Sequence, residues 1–242
     1  MNTHECFNHN VFDVYLGLTA SGYHLANTVH AGSIINMVLD EDWDNTMIKY
    51  FQRANQDDGR INPYWPRASI LSAVGILTEH TDPTLFKSSV YAYLKTLRNI
   101  SSLDKSEETA NWAVVLPDHV RYLRSNRHYQ DIILCYQQAI NREIERQWPV
   151  FDYQVNTANT VIKSLFPEHQ SHVITILNPL QADPLTDIVE TSANVWVITS
   201  YLRAESFVHE SIHACLDTML PSWIEEISTN IFSTWFINQC YS

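Results

Sequence analysis

HVITILNPLQADPLTDIVETSANVWVITSYLRAESFVHESIHACLDTM, residues 172 to 219, contains the change of character that decides the fold. His172 to Leu177 (HVITIL) is rich in β-branched residues and ends at Asn178-Pro179, which predicts a strand. Val195 to Tyr201 (VWVITSY) predicts a second strand. Between them runs a polar stretch with Asp183-Pro184 and Asp187, read as a loop. Two helical segments follow, Phe207 to about Met219 and Trp223 to about Asn238. Everything after Pro167 is therefore ordered strand, strand, helix, helix.

Upstream of this stretch, residues 1 to about 166 read mostly as helices. Ile34 to Leu39, then Met47, Ile48, Tyr50 and Phe51, recur at three- and four-residue steps, as do Pro66 to Leu77 and Leu85 to Ile100. From His128 to Trp148, the residues Ile132, Ile133, Tyr136, Ile140 and Ile144 form a stripe, and Pro149 is expected to stop that helix. Asp57-Asp58-Gly59 and Asn62-Pro63 mark a turn-rich break. The 242 residues thus divide into a helical N-terminal region, 1–166, and a small-sheet core, 167–242. The fold class is α+β, predominantly helical.

Composition narrows the function. With 45% hydrophobic and 17% charged residues the chain is an ordinary globular one, long enough to bury a core without staples. A formal net charge of −12 makes nucleic acid and anionic lipid poor partners. The opening MNTHECFNHN lacks a basic n-region and an apolar h-region, and eighteen apolar residues nowhere run together. Cys6, Cys135, Cys215 and Cys240 are scattered, form no CxxC pair and read as reduced thiols. The expectation is a cytoplasmic protein without a signal peptide or a membrane span. All five glycines fall within the first 75 residues and build neither GxGxxG nor GxxxxGK, which excludes a glycine-built phosphate cradle.

The chemistry points to His209-Glu210-Ser211-Ile212-His213, an HExxH segment. Four helical residues rise about 6 Å, so His209 and His213 stand one turn apart on one face. Two imidazoles so placed can hold one Zn²⁺ at about 2.0–2.1 Å each. Glu210, beside the first of them, can take the proton of a metal-bound water as general base. Phe207, Val208, Ile212, Ala214 and Leu216 predict that this helix is buried. Catalytic zinc also needs a third protein ligand and an open position. Asp217 lies on the same face but about 12 Å along the axis from His209, too far to share the ion.

With a strand before it and a helix after it, the segment resembles the gluzincin group of zinc metallopeptidases, the thermolysin-like and aminopeptidase-like enzymes. The resemblance covers about residues 172 to 240. It implies a zincin-like core in which a downstream helix, often through Trp-x-x-Glu, supplies the third ligand. Pro221-Ser222-Trp223-Ile224-Glu225-Glu226 is similar to that segment. Counting three from Trp223 selects Glu226. Ser222 and Glu225 have capping-box spacing, which gives Glu225 a structural role instead.

The implied function is a zinc-dependent peptidase acting on a peptide or protein. In the group, an acidic residue four beyond the ligand glutamate supports a ligand histidine; here that position is Asn230. Ile227 replaces the usual glycine, and the stretch from His213 to Glu226 is short for the family. Only sixteen residues follow Glu226, so the oxyanion donor is missing, upstream, or Tyr241, with Tyr201 and Arg203 as further candidates. Family substrates bind by strand addition, which suggests the strand ending at Tyr201 as the receiving edge, with an internal strand as the alternative. These departures leave a second reading: a catalytically degenerate, peptidase-like helical interaction module whose metal is structural or absent.

Other eye-catching residues carry less. His24 and His30, and His4, His9, His80, His119 and His128, show no ligand spacing. His169 and His172 fall where a loop enters a strand. Asp40-Glu41-Asp42-Asp44 lacks the glycine and closing glutamate of a calcium loop and reads as a helix cap. Tyr64-Trp65-Pro66, Trp112 and Trp148 read as core residues ahead of groove residues.

Overall fold

The computed structural model describes residues 6–22, 28–55, 66–96, 107–165, 172–181, 186–190, 194–205, 207–209 and 211–212. Its helices are α1 (His9–Ala20), α2 (Thr28–Leu39), α3 (Asn45–Gln52), α4 (Pro66–His80), α5 (Phe86–Thr96), α6 (Glu107–Ala113), α7 (Leu116–Arg124) and α8 (Tyr129–Leu165). Three strands follow, β1 (His172–Leu177), β2 (Thr186–Glu190) and β3 (Asn194–Thr199). The protein is predominantly helical with one small mixed sheet, consistent with the α+β class.

Local chemistry accounts for the helix starts. Asn8 caps α1 by accepting the Val11 N–H at 2.9 Å. Asp44 caps α3, its Oδ1 taking the N–H groups of Thr46 at 2.8 Å and Met47 at 3.1 Å, so the acidic run ends in a cap as expected. α1 is buried all round from Val11 to Thr19 and is the axis on which α2, α3, α4 and α7 pack. Such close packing needs a missing side chain at one crossing. A Cβ on Gly17 would lie 2.3 Å from the Phe51 ring.

The expectation that Pro149 ends its helix is corrected: α8 runs on for 37 residues with Pro149 inside it. A proline in a helix removes one hydrogen bond and crowds the preceding turn. Here it sits on the exposed side, while Trp148 packs on Phe151 at 5.6 Å and Phe151 meets Phe207 at 6.1 Å. Burial of those rings outweighs the local penalty.

The sheet order is β1-β3-β2, with β1 parallel and β2 antiparallel to β3. β2 occupies part of the stretch read as a polar loop, and Asp187 pairs with Ile198. Thr186, Ile188 and Val189 carry a strand signal there, interrupted by Asp187. Pairing with β3, whose backbone groups would otherwise be buried without partners, makes up the difference. β3 starts and ends slightly earlier than expected and is buried from Val195 to Thr199. The Tyr136 hydroxyl donates to the Leu177 carbonyl at 2.8 Å and ties α8 to β1. Through Ile176, Leu177, Val189, Trp196 and Ile198 the sheet joins the same buried cluster as the helices. No helix among the described residues is long and apolar enough to cross a membrane.

Candidate metal centre

The chain leaves β3 at Thr199 and turns through Ser200–Arg203 into a helical segment over residues 204–205, 207–209 and 211–212. Glu143 of α8 receives this turn, its Oε1 accepting the Leu202 N–H at 3.3 Å while Oε2 takes Arg146 at 2.7 Å. The Phe207 N–H donates to the Arg203 carbonyl at 3.2 Å, and the Ser211 hydroxyl to the Phe207 carbonyl at 2.7 Å, both four-residue helical steps.

Ala204, Phe207 and Ser211 are buried, and their spacing puts them on one face. His209, two residues from both Phe207 and Ser211, is exposed on the other face. Ile212 is 38% exposed. Over its described residues the helix expected to be buried is half-buried. Phe207 packs against Phe151 of α8 and Val208 is partly covered, while the predicted flanks Ala214 and Leu216 lie outside the described residues.

Of the predicted ligand set, His209 is the one residue the structure describes. Glu210, His213, Asp217, Glu225, Glu226, Ile227, Asn230 and Tyr241 lie outside the described residues. Among the described residues no three His, Cys, Asp or Glu side chains converge to hold a metal. His209 stands on the helical segment and is exposed.

The Arg203 guanidinium lies 4.0 Å from the centre of the Tyr201 ring. One further expectation changes. The strand leading to Tyr201 cannot receive a peptide by strand addition, because β3 is paired on both sides. The internal-strand alternative holds. Sequence reading did not single out Glu143, whose partner lies 59 residues away and leaves no local signal.

A buried, perturbed carboxylate lies in the helical region. Asp13 is fully buried in α1, accepting from Arg124 Nε at 2.9 Å, Arg124 Nη2 at 2.6 Å and the Tyr129 hydroxyl at 2.8 Å. Burial pushes its carboxyl from the ordinary 3.8 up to about 6, against the opposing pull of Arg124 and Tyr129. Beside this network a cavity of about 420 Å³ is lined in part by His9 and Glu79. Burial, reinforced by Arg124, lowers the proton affinity of His9. The network ties α1, α7 and α8 together. No family model matches the chain, and neither does any curated protein or solved structure.

Proposed function

We propose that the chain is a zinc-dependent peptidase, in which His209, His213 and Glu226 hold the ion and Glu210 is the general base. The observation that carries this reading is the HExxH spacing of the sequence, of which the described residues His209, Ser211 and Ile212 lie on a helical segment that follows β3, with His209 exposed. On this reading β3 and the helix after it begin a zincin-like core, and the protein works in the cytoplasm on peptides or proteins, without nucleic acid or membrane.

Bound zinc supplies Lewis acidity to a substrate carbonyl and to water. Glu210 accepts the proton of the attacking water and can return it to the leaving amine. Glu143 fixes where the helix starts by holding the Leu202 N–H, and Phe207 and Ser211 fix which face turns outward. The substrate strand binds somewhere other than β3, whose two edges are taken.

Elemental analysis of protein prepared without a polyhistidine tag, joined to peptide hydrolysis by a Glu210→Gln variant, tests the proposal. The expected result is about one zinc per chain in both proteins, with hydrolysis about 10²–10⁴-fold slower in the variant, the usual worth of a general base. Metal that stays substoichiometric after zinc addition overturns the metal site. A parent that holds zinc but hydrolyses nothing in a broad peptide library favours the interaction-module reading.

A further inference from the structure

At 1.5 Å per residue α8 is about 55 Å long, and its two halves have different surroundings. The N-terminal half lies in the helical core, where Tyr136 is fully buried and Cys135 meets Ser33 of α2 at 3.6 Å. Beyond Pro149 one face, with Phe151 and Ile162, is buried as well. Another face is open. Val150 is 57% exposed, Tyr153 73% and Val161 53%. With Thr157 and Ser164 they recur at three- and four-residue steps, the spacing of a seam between paired helices.

The hydroxyls along this seam are satisfied within the helix. Thr157 donates to the Tyr153 carbonyl at 2.8 Å, Thr160 to the Asn156 carbonyl at 2.9 Å and Ser164 to the Val161 carbonyl at 2.8 Å. The seam therefore offers methyl groups and a ring, with few polar atoms to strip of water on contact. It is also uncharged. From Pro149 to Leu165 only Asp152 and Lys163 carry charge, and the helical period turns both away from the seam.

Charge selects the occupant. A basic partner drawn to a chain of net charge −12 finds no carboxylate on this seam to pair with. Two copies of the chain repel each other across charged surface but not here, and an uncharged stripe is its own complement. Residues 149–165 span about 25 Å, so two such stripes bury on the order of 1,000 Å² in total, the size of a weak interface. An antiparallel crossing opposes the helix dipoles and sends the two N-terminal halves of α8, with the helices packed on them, in opposite directions.

We propose that the exposed seam of α8 pairs with the same seam of a second copy, antiparallel about a two-fold axis near Thr157. Tyr153 of each copy lies over Val161 of the other. Neither zinc nor His209 takes part.

Sedimentation equilibrium of the full chain tests this. The expected result is a dimer with a dissociation constant of about 10–100 μM, as its small area implies. It should tighten with added salt, which screens the repulsion between two acidic chains. Tyr153→Asp and Val161→Lys should each weaken it about tenfold or more, and the double variant should regain most of the loss, because each new aspartate then faces the other copy's new lysine. Residues eight apart on one helix are too distant to pair with each other, so that rescue reports the contact between copies. Leu85→Asp, at a 57% exposed leucine before α5, should leave the dimer unchanged. Unchanged circular dichroism melts verify that the variants fold. A chain that stays monomeric at millimolar concentration, a dimer indifferent to Tyr153→Asp, or a double variant without rescue overturns the proposal.

Discussion

Asp13 should make this protein less stable as pH rises through the weakly acidic range. Its carboxyl is fully buried and its pKa rises from 3.8 to about 6 in the folded chain, with desolvation outweighing Arg124 and Tyr129. The folded state therefore holds this proton more tightly than the unfolded state does. The resulting stability is fully present below pH 3.8 and is lost as pH rises through about 6. At 1.36 kcal/mol per unit the whole contribution is about 3 kcal/mol, falling by at most about 1.4 kcal/mol per pH unit.

Urea unfolding of the parent and of an Asp13→Asn variant, from pH 4 to pH 8, isolates this contribution. His9, Glu79 and every other group titrate in both chains, so the parent's stability minus the variant's reports Asp13 alone. That difference should fall by about 2.4 kcal/mol between pH 4 and pH 8, since about 0.6 kcal/mol is already lost at pH 4, and should level off above pH 7. A difference that stays flat would mean the carboxyl is not desolvated in the folded state. A difference that rises with pH would mean the Arg124 pairing dominates, and either result refutes the reasoning.

Gly17→Ala should destabilise by about 1–3 kcal/mol, because the new methyl group meets the fully buried Phe51 ring. Gly32→Ala in α2, where a Cβ meets nothing within 4 Å, should instead stabilise by up to about 1 kcal/mol; thermal melts of the pair measure both signs. Glu226→Ala should release zinc, whereas Glu225→Ala should keep it and cost about 0.5–2 kcal/mol, as loss of a helix cap does. Metal analysis and melts on the two variants check this, and the opposite pattern would exchange the two roles.

The sequence by itself determined what depends on neighbours a few residues apart. Asp44 reads as a cap because its carboxylate reaches N–H groups two and three positions on. The stripe through Ile132, Tyr136 and Ile140 reads as a helix because a 3.6-residue period gathers it on one face. β1 and β3 show their β-branched runs openly, and the HExxH segment is legible because its spacing is that of one helical turn. The tertiary structure decided what depends on distant partners. α8 passes Pro149 because Phe151 and Phe207 bury each other, and Thr186–Glu190 becomes a strand because β3 lies beside it. The central place of β3, and so its closure to a substrate strand, comes from pairing on both sides, which no local pattern encodes. Glu143 reaches Leu202 across 59 residues, and Arg124 reaches Asp13 across 111. Their individual sequences carry no sign of these contacts, since burial and pairing at such separations arise only when the whole core closes.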